Sequence, residues 1–495
     1  MKYAVLVGAL LLALRMPAAP AAQGEALAVT GAQVADGSGG PLRRVNVRAV
    51  GGVITEVGDL RPRDGDRVID GTGLVLAPGF IDAHNHSTEG LDTEPDAVTQ
   101  VSQGITTALV GQDGSAPFPV SDYLARRRAN PAAINVAVLA GHATIRRRVM
   151  GDDFRRPATL AEVAQMEALL DQEMRDGAMG LSSGLEYEVG SYASTEEVVS
   201  LARVAARHGG FYISHIRDEA DRSLEAIREA IAIGEKAKLP VQLTHLKLGT
   251  VDVWNKAPDV VALVEAARQR GVDVTADVYP YLAWQSNIKV LVPSKQWTDP
   301  ASVKEALDDI GGGRNVQITR LPMFPHYAGR RLDEIARTEG VSEVDLYIRI
   351  VKDEGAGMIG HTMLAADMQA FLTQPWAMVA SDGGIANNHP RGAGTFPRVL
   401  GRFVRDEKWL TLPDAVRKMT AMPAARLGLK DRGAIAVGMK ADLVLFDPAT
   451  VLDQSTFESP RLLARGIHTV VVNGVPVWSA ERATGLRPGH VLRRR

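Results

Sequence analysis

Between residues 79 and 381, short apolar runs alternate with longer stretches in which apolar positions recur every three or four residues. The runs 79–84, 105–110, 135–140, 178–182, 211–215, 241–245, 273–277 and 377–381 read as strands. Segments such as STEEVVSLARVAARHG and RSLEAIREAIAIGEKAK read as amphipathic helices between them. Alternation of this kind predicts a parallel α/β fold, and eight strands is the number that closes a (β/α)8 barrel. Roughly a hundred residues separate the seventh run from the eighth, too many for one crossover helix, so an inserted subdomain is expected over residues 285–345, above the barrel mouth. The two ends differ from the middle. Residues 23–78 and 428–495 carry short Val-rich runs broken by glycines, the pattern of small antiparallel strands, and two such segments can form one composite domain. That leaves 79–427 as the barrel.

Composition narrows the classes of partner. The net charge is −2 and aromatic residues make up 5%, so neither a basic field nor a base-stacking surface points to nucleic acid. The chain has no cysteine, which excludes disulfides, thiolate metal ligands and a cysteine nucleophile. At the N-terminus, Lys2 precedes a run that is apolar through residue 14, and Ala19-Pro20-Ala21 has the small residues of a cleavage site. The run is too short to span a bilayer, so residues 1–22 read as a signal peptide cut near Ala21 or Ala22. An exported, periplasmic or secreted protein with no membrane attachment after cleavage is expected.

Polar residues then fall at equivalent places on this pattern. His84 and His86 close the first run in PGFIDAHNHS, where alternation along an extended chain lets one ion accept both imidazoles. His215 ends the fifth run, His245 the sixth and Asp382 the eighth. Barrel active sites lie at the C-terminal ends of the strands, so all five would line one cup.

On these residues the chain resembles the amidohydrolases, which carry HxH on strand one, histidines on strands five and six, and an aspartate on strand eight. They pair the barrel with a β-sandwich built from both chain ends. The segments GITTALVGQDGS, LSSGLEYE, SYASTEE, ISHIRDE, THLK, DVYPY and HPRGAGTFPRVLG are similar to the N-acyl-D-amino-acid deacylases, or D-aminoacylases. The resemblance implies a metal-dependent hydrolase that cleaves the amide of a small N-acyl-D-amino acid with metal-activated water. One or two zinc or similar divalent ions are expected on His84, His86, His215, His245 and Asp382, with Asp382 as general base. D-aminoacylases place a cysteine ligand where this chain has Asp113, and aspartate serves zinc as a harder ligand. Relatives that bridge two metals with a carboxylated lysine on strand four offer no template, because no lysine occurs between Lys2 and Lys236. Asp113 is the leading carboxylate ligand, ahead of Glu186 and Glu188.

The same resemblance assigns Tyr187 to oxyanion stabilisation, and Lys247, Tyr279 and Arg391 to the substrate carboxylate. Lys247 is two residues past His245, which on a strand would give both one face. Arg217 and Glu219 are expected to orient the metal ligands, and Asp82 either does so or bonds at the strand end. His142 ends the third run, but no ligand position requires it. His361 and His389 stay open, whereas His208, His326, His468 and His490 read as structural or solvated. Two other functions compete: a dipeptidase or cyclic-amide hydrolase on the same metal cup, and an inactive small-molecule-binding protein. Substrate assays separate the first, and any turnover removes the second.

Overall fold

A computed structural model describes residues 26–353 and 355–494; the expected signal peptide lies outside them. Eight parallel strands form the barrel: β1 (Phe80–Asp82), β2 (Ile105–Val110), β3 (Asn135–Val138), β4 (Leu181–Gly184), β5 (Tyr212–His215), β6 (Val241–Leu243), β7 (Val274–Val278) and β8 (Ala377–Val379). All but β7 are buried along their whole length, and in β7 only Thr275 is partly exposed. The third strand breaks at Leu139. Asn135–Val138 pairs with β2, and the following pair Ala140–Gly141 turns to β4. The circle closes between β8 and β1 beyond their ends, where Asn85 bridges Gly383 and the Asp382 N–H donates to the His84 carbonyl at 2.9 Å. Closure therefore runs through the segments that carry His84 and Asp382.

The helices wrap this sheet for local reasons. Thr159 and Glu162 form a capping box at the start of Leu160–Asp176, and Gly177 ends it at φ 118°. Ser194 caps Thr195–Arg207, whose Val198, Leu201, Ala202 and Ala205 face the barrel core. No helix among the described residues is long and apolar enough to cross a membrane.

Both chain ends meet in one small domain. Leu443–Phe446 runs antiparallel to Val75–Pro78 inside a seven-stranded sheet that also holds Gln33–Val34 and Ile467–Val472. A four-stranded sheet containing Leu27–Thr30 packs on it through Leu27, Val29, Val47, Ile54, Leu76, Leu443 and Leu445. The tail departs from the expected boundary. Beyond residue 483 it leaves the sheets, and Val491 bridges Val136 at the foot of β3. Asn135 fastens the two domains, donating to the Thr106 carbonyl at 3.0 Å and to Asp442 at 3.1 Å.

The insertion also reaches further than 285–345. It is a three-stranded sheet in the order Trp284–Asn287, Gly357–Gly360, Val316–Arg320, backed by helices Pro300–Asp309, Leu332–Glu339 and Glu343–Asp353. Gly357–Gly360 is its central strand, so the unit cannot end before it. Its core of Ile288, Val303, Leu307, Ile318, Tyr347 and Ile350 is separate from that of the barrel.

Candidate active site

His84, His86, Asp113, His215, His245 and Asp382 converge at the C-terminal rim of the barrel. His84 Nε2 lies 3.3 Å from both His86 Nε2 and Asp382 Oδ1, and 3.6 Å from Asp113 Oδ1. His86 Nε2 is 3.1 Å from Asp382 Oδ1 and 3.4 Å from Asp113 Oδ2. A tetrahedral ion with bonds of about 2.0–2.1 Å sets its donors about 3.3–3.4 Å apart, so this group has the dimensions of a zinc-type site. A second group shares Asp113: His215 Nδ1 and His245 Nε2 are 3.0 Å apart, and His245 Nε2 is 4.0 Å from Asp113 Oδ1. Asp113 thus stands between two histidine pairs.

Three of the four imidazoles, those of His84, His215 and His245, have a carboxylate beside their other nitrogen, an arrangement that helps to fix which nitrogen faces the centre. Asp277 Oδ1 lies 3.5 Å from His84 Nδ1, Glu186 Oε2 is 2.8 Å from His215 Nε2, and Glu219 Oε1 is 3.0 Å from His245 Nδ1. Sequence reasoning missed Asp277 altogether; its signal was a buried carboxylate near the end of β7. Glu186 and Glu219 act here, but two related expectations need correction. Glu188 pairs with Arg155 at the surface, away from the site. Arg217 does not orient a ligand; it pairs with Glu229 at 2.7 Å and donates to the carbonyls of Ser191 and Ala193. Asp82 is the strand-end bonder, accepting from Ser381 and Asn85.

Electrostatics agree with a centre that favours positive charge. Burial opposes protonation of His86, yet its contacts with Asp113 and Asp382 push it up to about 10. Burial likewise opposes His215, but Glu219 and Glu186 raise it to about 9. For Asp113 burial works upward, and the imidazoles of His84 and His86 overcome it and hold the carboxyl below its ordinary range. These are donors that a divalent cation would satisfy.

Backbone strain collects in the same place. Asp113, His245 and Asp382 have φ values of 56°, 34° and 47°, a region that side chains rarely adopt. Gly184 makes room for one of these turns. A Cβ there would lie 2.4 Å from the Asp113 carbonyl and 2.6 Å from the Tyr187 ring. Tyr187 stacks on His215 at 4.4 Å, and burial with the surrounding carboxylates keeps its phenol protonated far beyond neutral pH.

A cavity of about 410 Å³ opens over these residues, with Lys247 and Arg391 in its wall. Lys247 reaches it by a different route from the one expected. Strand β6 ends at Leu243 and His245 has a left-handed backbone, so strand alternation does not apply; Lys247 Nζ sits 2.5 Å from Glu219 Oε2. Arg391 begins the helix Arg391–Arg398, and its Nη1 lies 2.7 Å from Asp382 Oδ2. Tyr279 is not in the cavity wall. It lies behind Arg391, whose guanidinium rests over the ring at 4.7 Å. His142 is buried against Glu197, which also pairs with Arg146, and takes no part. His389 accepts from the Arg391 N–H and meets the Ala283 carbonyl, and so supports the Arg391 turn. His361 meets Gln317 inside the insertion.

Fold and site together define a barrel hydrolase with a carboxylate set between two histidine pairs. Residues 67–363 and 296–478 match the profile of the Amidohydrolase family. The chain is 38% identical over 496 residues to a D-aminoacylase of Alcaligenes xylosoxydans xylosoxydans, covering 94% of this chain and 97% of that one. An N-acyl-D-glutamate deacylase of the same organism is 37% identical, with 94% and 96% covered. The crystal structure of an N-acyl-D-glutamate deacylase from Bordetella bronchiseptica, complexed with zinc and a phosphonate mimic of the tetrahedral intermediate, is 34% identical with a TM-score of 0.86, over 94% of this chain and 99% of that one. The chain belongs to the amidohydrolase family, in its N-acyl-D-amino-acid deacylase branch.

Proposed function

We propose that this protein hydrolyses the amide bond of N-acyl-D-amino acids, releasing a carboxylate and a free amino acid. The observation that carries the reading is the position of Asp113 between two histidine pairs, beside a cavity whose wall holds Lys247 and Arg391. His84, His86, Asp113 and Asp382 would hold one divalent ion and Asp113, His215 and His245 a second, zinc being the ion suited to this donor set. Such an ion acidifies water and polarises a carbonyl.

Asp382 accepts the proton of the attacking water at a carboxylate oxygen and delivers it to the departing nitrogen. Tyr187, kept protonated, donates to the oxygen on which charge develops. Arg391 uses one guanidinium nitrogen on Asp382 and keeps other donors for the substrate carboxylate. Lys247 Nζ meets Glu219 and lies 3.0 Å from His245 Nδ1, which leaves one of its three donors for the substrate carboxylate. Tyr279 supports Arg391 from behind rather than touching substrate. Export belongs to the same proposal, supported by the sequence of residues 1–22, and a mature N-terminus near Ala22 in secreted protein would test it.

The test of the activity is hydrolysis of N-acetyl-D- and N-acetyl-L-amino acids, dipeptides and hydantoins by zinc-loaded protein. D-selective release of acetate is expected. Turnover confined to dipeptides or hydantoins, or none at all, overturns the assignment.

A further inference from the structure

The cavity has two unlike ends. Lys247 and Arg391 are the only lysine and arginine among its described lining residues, and both stand beside the metal-binding group. The insertion contributes Trp284, Gln285, Ser286, Val290, Leu291, Ala306, Asp309 and Ile310 to the cavity wall. Five of these are apolar, with Trp284, Leu291, Ala306 and Ile310 buried in the insertion's own core, and Gln285 and Ser286 are polar but uncharged. Asp309 is the one charged residue among them. Carboxylate oxygens of Asp309, Asp221 and Asp252 lie within 4.8 Å of one another, and among the described residues no lysine or arginine forms an ion pair with any of the three. Partial burial, with the surrounding acids after it, raises the Asp309 carboxyl to about 6, so it is mostly charged at neutral pH.

A substrate held by its α-carboxylate at Lys247 and Arg391, with its amide at the metal group, must place its side chain elsewhere in this cavity. Among the described lining residues the insertion alone supplies large aliphatic side chains, Val290, Leu291 and Ile310, so it is the part of the wall that suits an apolar group. An acidic side chain there finds no cation and faces a carboxylate, whereas an aliphatic one meets apolar atoms. We infer, on the deacylase reading above, that the insertion wall selects uncharged apolar D-side chains and that Asp309 is a specificity-determining residue rejecting acidic ones. Related chains act on D-glutamate and D-aspartate derivatives at nearly the same identity as the D-aminoacylase (37% and 36% against 38%), so overall similarity does not choose between them. The wall does.

The experiment measures kcat/KM of the zinc-loaded full-length enzyme for N-acetyl-D-leucine, -D-lysine, -D-glutamate and -D-aspartate at pH 8. Leucine should exceed both acidic substrates by at least roughly 100-fold. Asp309→Lys should raise the glutamate-to-leucine ratio by at least about 30-fold, and Asp309→Asn, which keeps the side-chain volume, by about 10-fold. An acidic substrate equal to leucine, lysine preferred over leucine, or an unchanged ratio in both variants overturns the inference while the deacylase reading survives. No turnover of any of the four overturns that reading and this inference with it.

Discussion

Arg391 and Asp382 form a buried ion pair, Nη1 to Oδ2 at 2.7 Å, that ties the expected substrate clamp to the expected proton carrier. Burial alone would raise the Asp382 carboxyl, but Arg391 leads the charges that hold it well below the ordinary carboxylate range. A substitution at Arg391 therefore acts on both partners. Arg391→Ala should raise KM for N-acetyl-D-leucine and also lower kcat, with kcat/KM falling by about 100-fold or more. Steady-state kinetics check this, and a change in KM alone would show that the pair with Asp382 is dispensable.

Asp382→Asn leaves an oxygen that can still contact an ion but removes the group that takes a proton. Turnover should fall by about 10²–10⁴-fold while zinc content stays close to wild type. Metal analysis run beside the kinetics separates the two effects. A normal rate would shift the base role to another carboxylate, Asp113 first.

Asp113 serves both histidine groups, so its loss should be felt twice. Wild-type protein dialysed against zinc is expected to bind up to two equivalents, and Asp113→Ala at most one. His215→Ala and His245→Ala should each lose metal and turnover together. A chelator should abolish activity, and restored zinc should return it. Full activity in metal-free protein would refute the metal mechanism.

The insertion should weaken in acid. Burial lowers His361 to about 4, against an ordinary value near 6.5. Between these values the unfolded chain binds more protons than the folded one, so this contribution is complete above about pH 6.5 and is lost as pH falls toward 4. Melting temperature should decline over that window, and His361→Gln should flatten the decline. An equal slope in the variant would assign the acid sensitivity elsewhere.

The strand ends were readable because four of the eight apolar runs stop at a candidate metal ligand: His215 ends β5, and His84, His245 and Asp382 follow β1, β6 and β8 within three residues. What escaped depends on orientation rather than position. Nothing in the sequence tells which imidazole nitrogen of His84 meets Asp277, or that Glu219 bridges His245 and Lys247 while Arg217, two residues earlier, turns away. His142 sits at a run end like the candidate ligands, yet Glu197 holds it in the interior. The end of the insertion was hidden because its central strand, GMIG, is short and half glycine. Likewise, the pattern does not show that Lys247 arrives by a left-handed turn at His245.

The sheet shared by the chain ends sets an order of events during synthesis. Val75–Pro78 leads directly into β1, but its neighbour Leu443–Phe446 is translated only after the entire barrel. Until then one edge of the N-terminal sheet has open hydrogen-bonding groups, a state that invites pairing with other chains. The last strands thus act as a closing clasp: a nascent chain that stalls or is cut before residue 443 retains every metal-ligand candidate and an unsealed edge. Such fragments should reach the aggregate fraction rather than the active one, and a chaperone that shields strand edges should matter most in the final stage of translation.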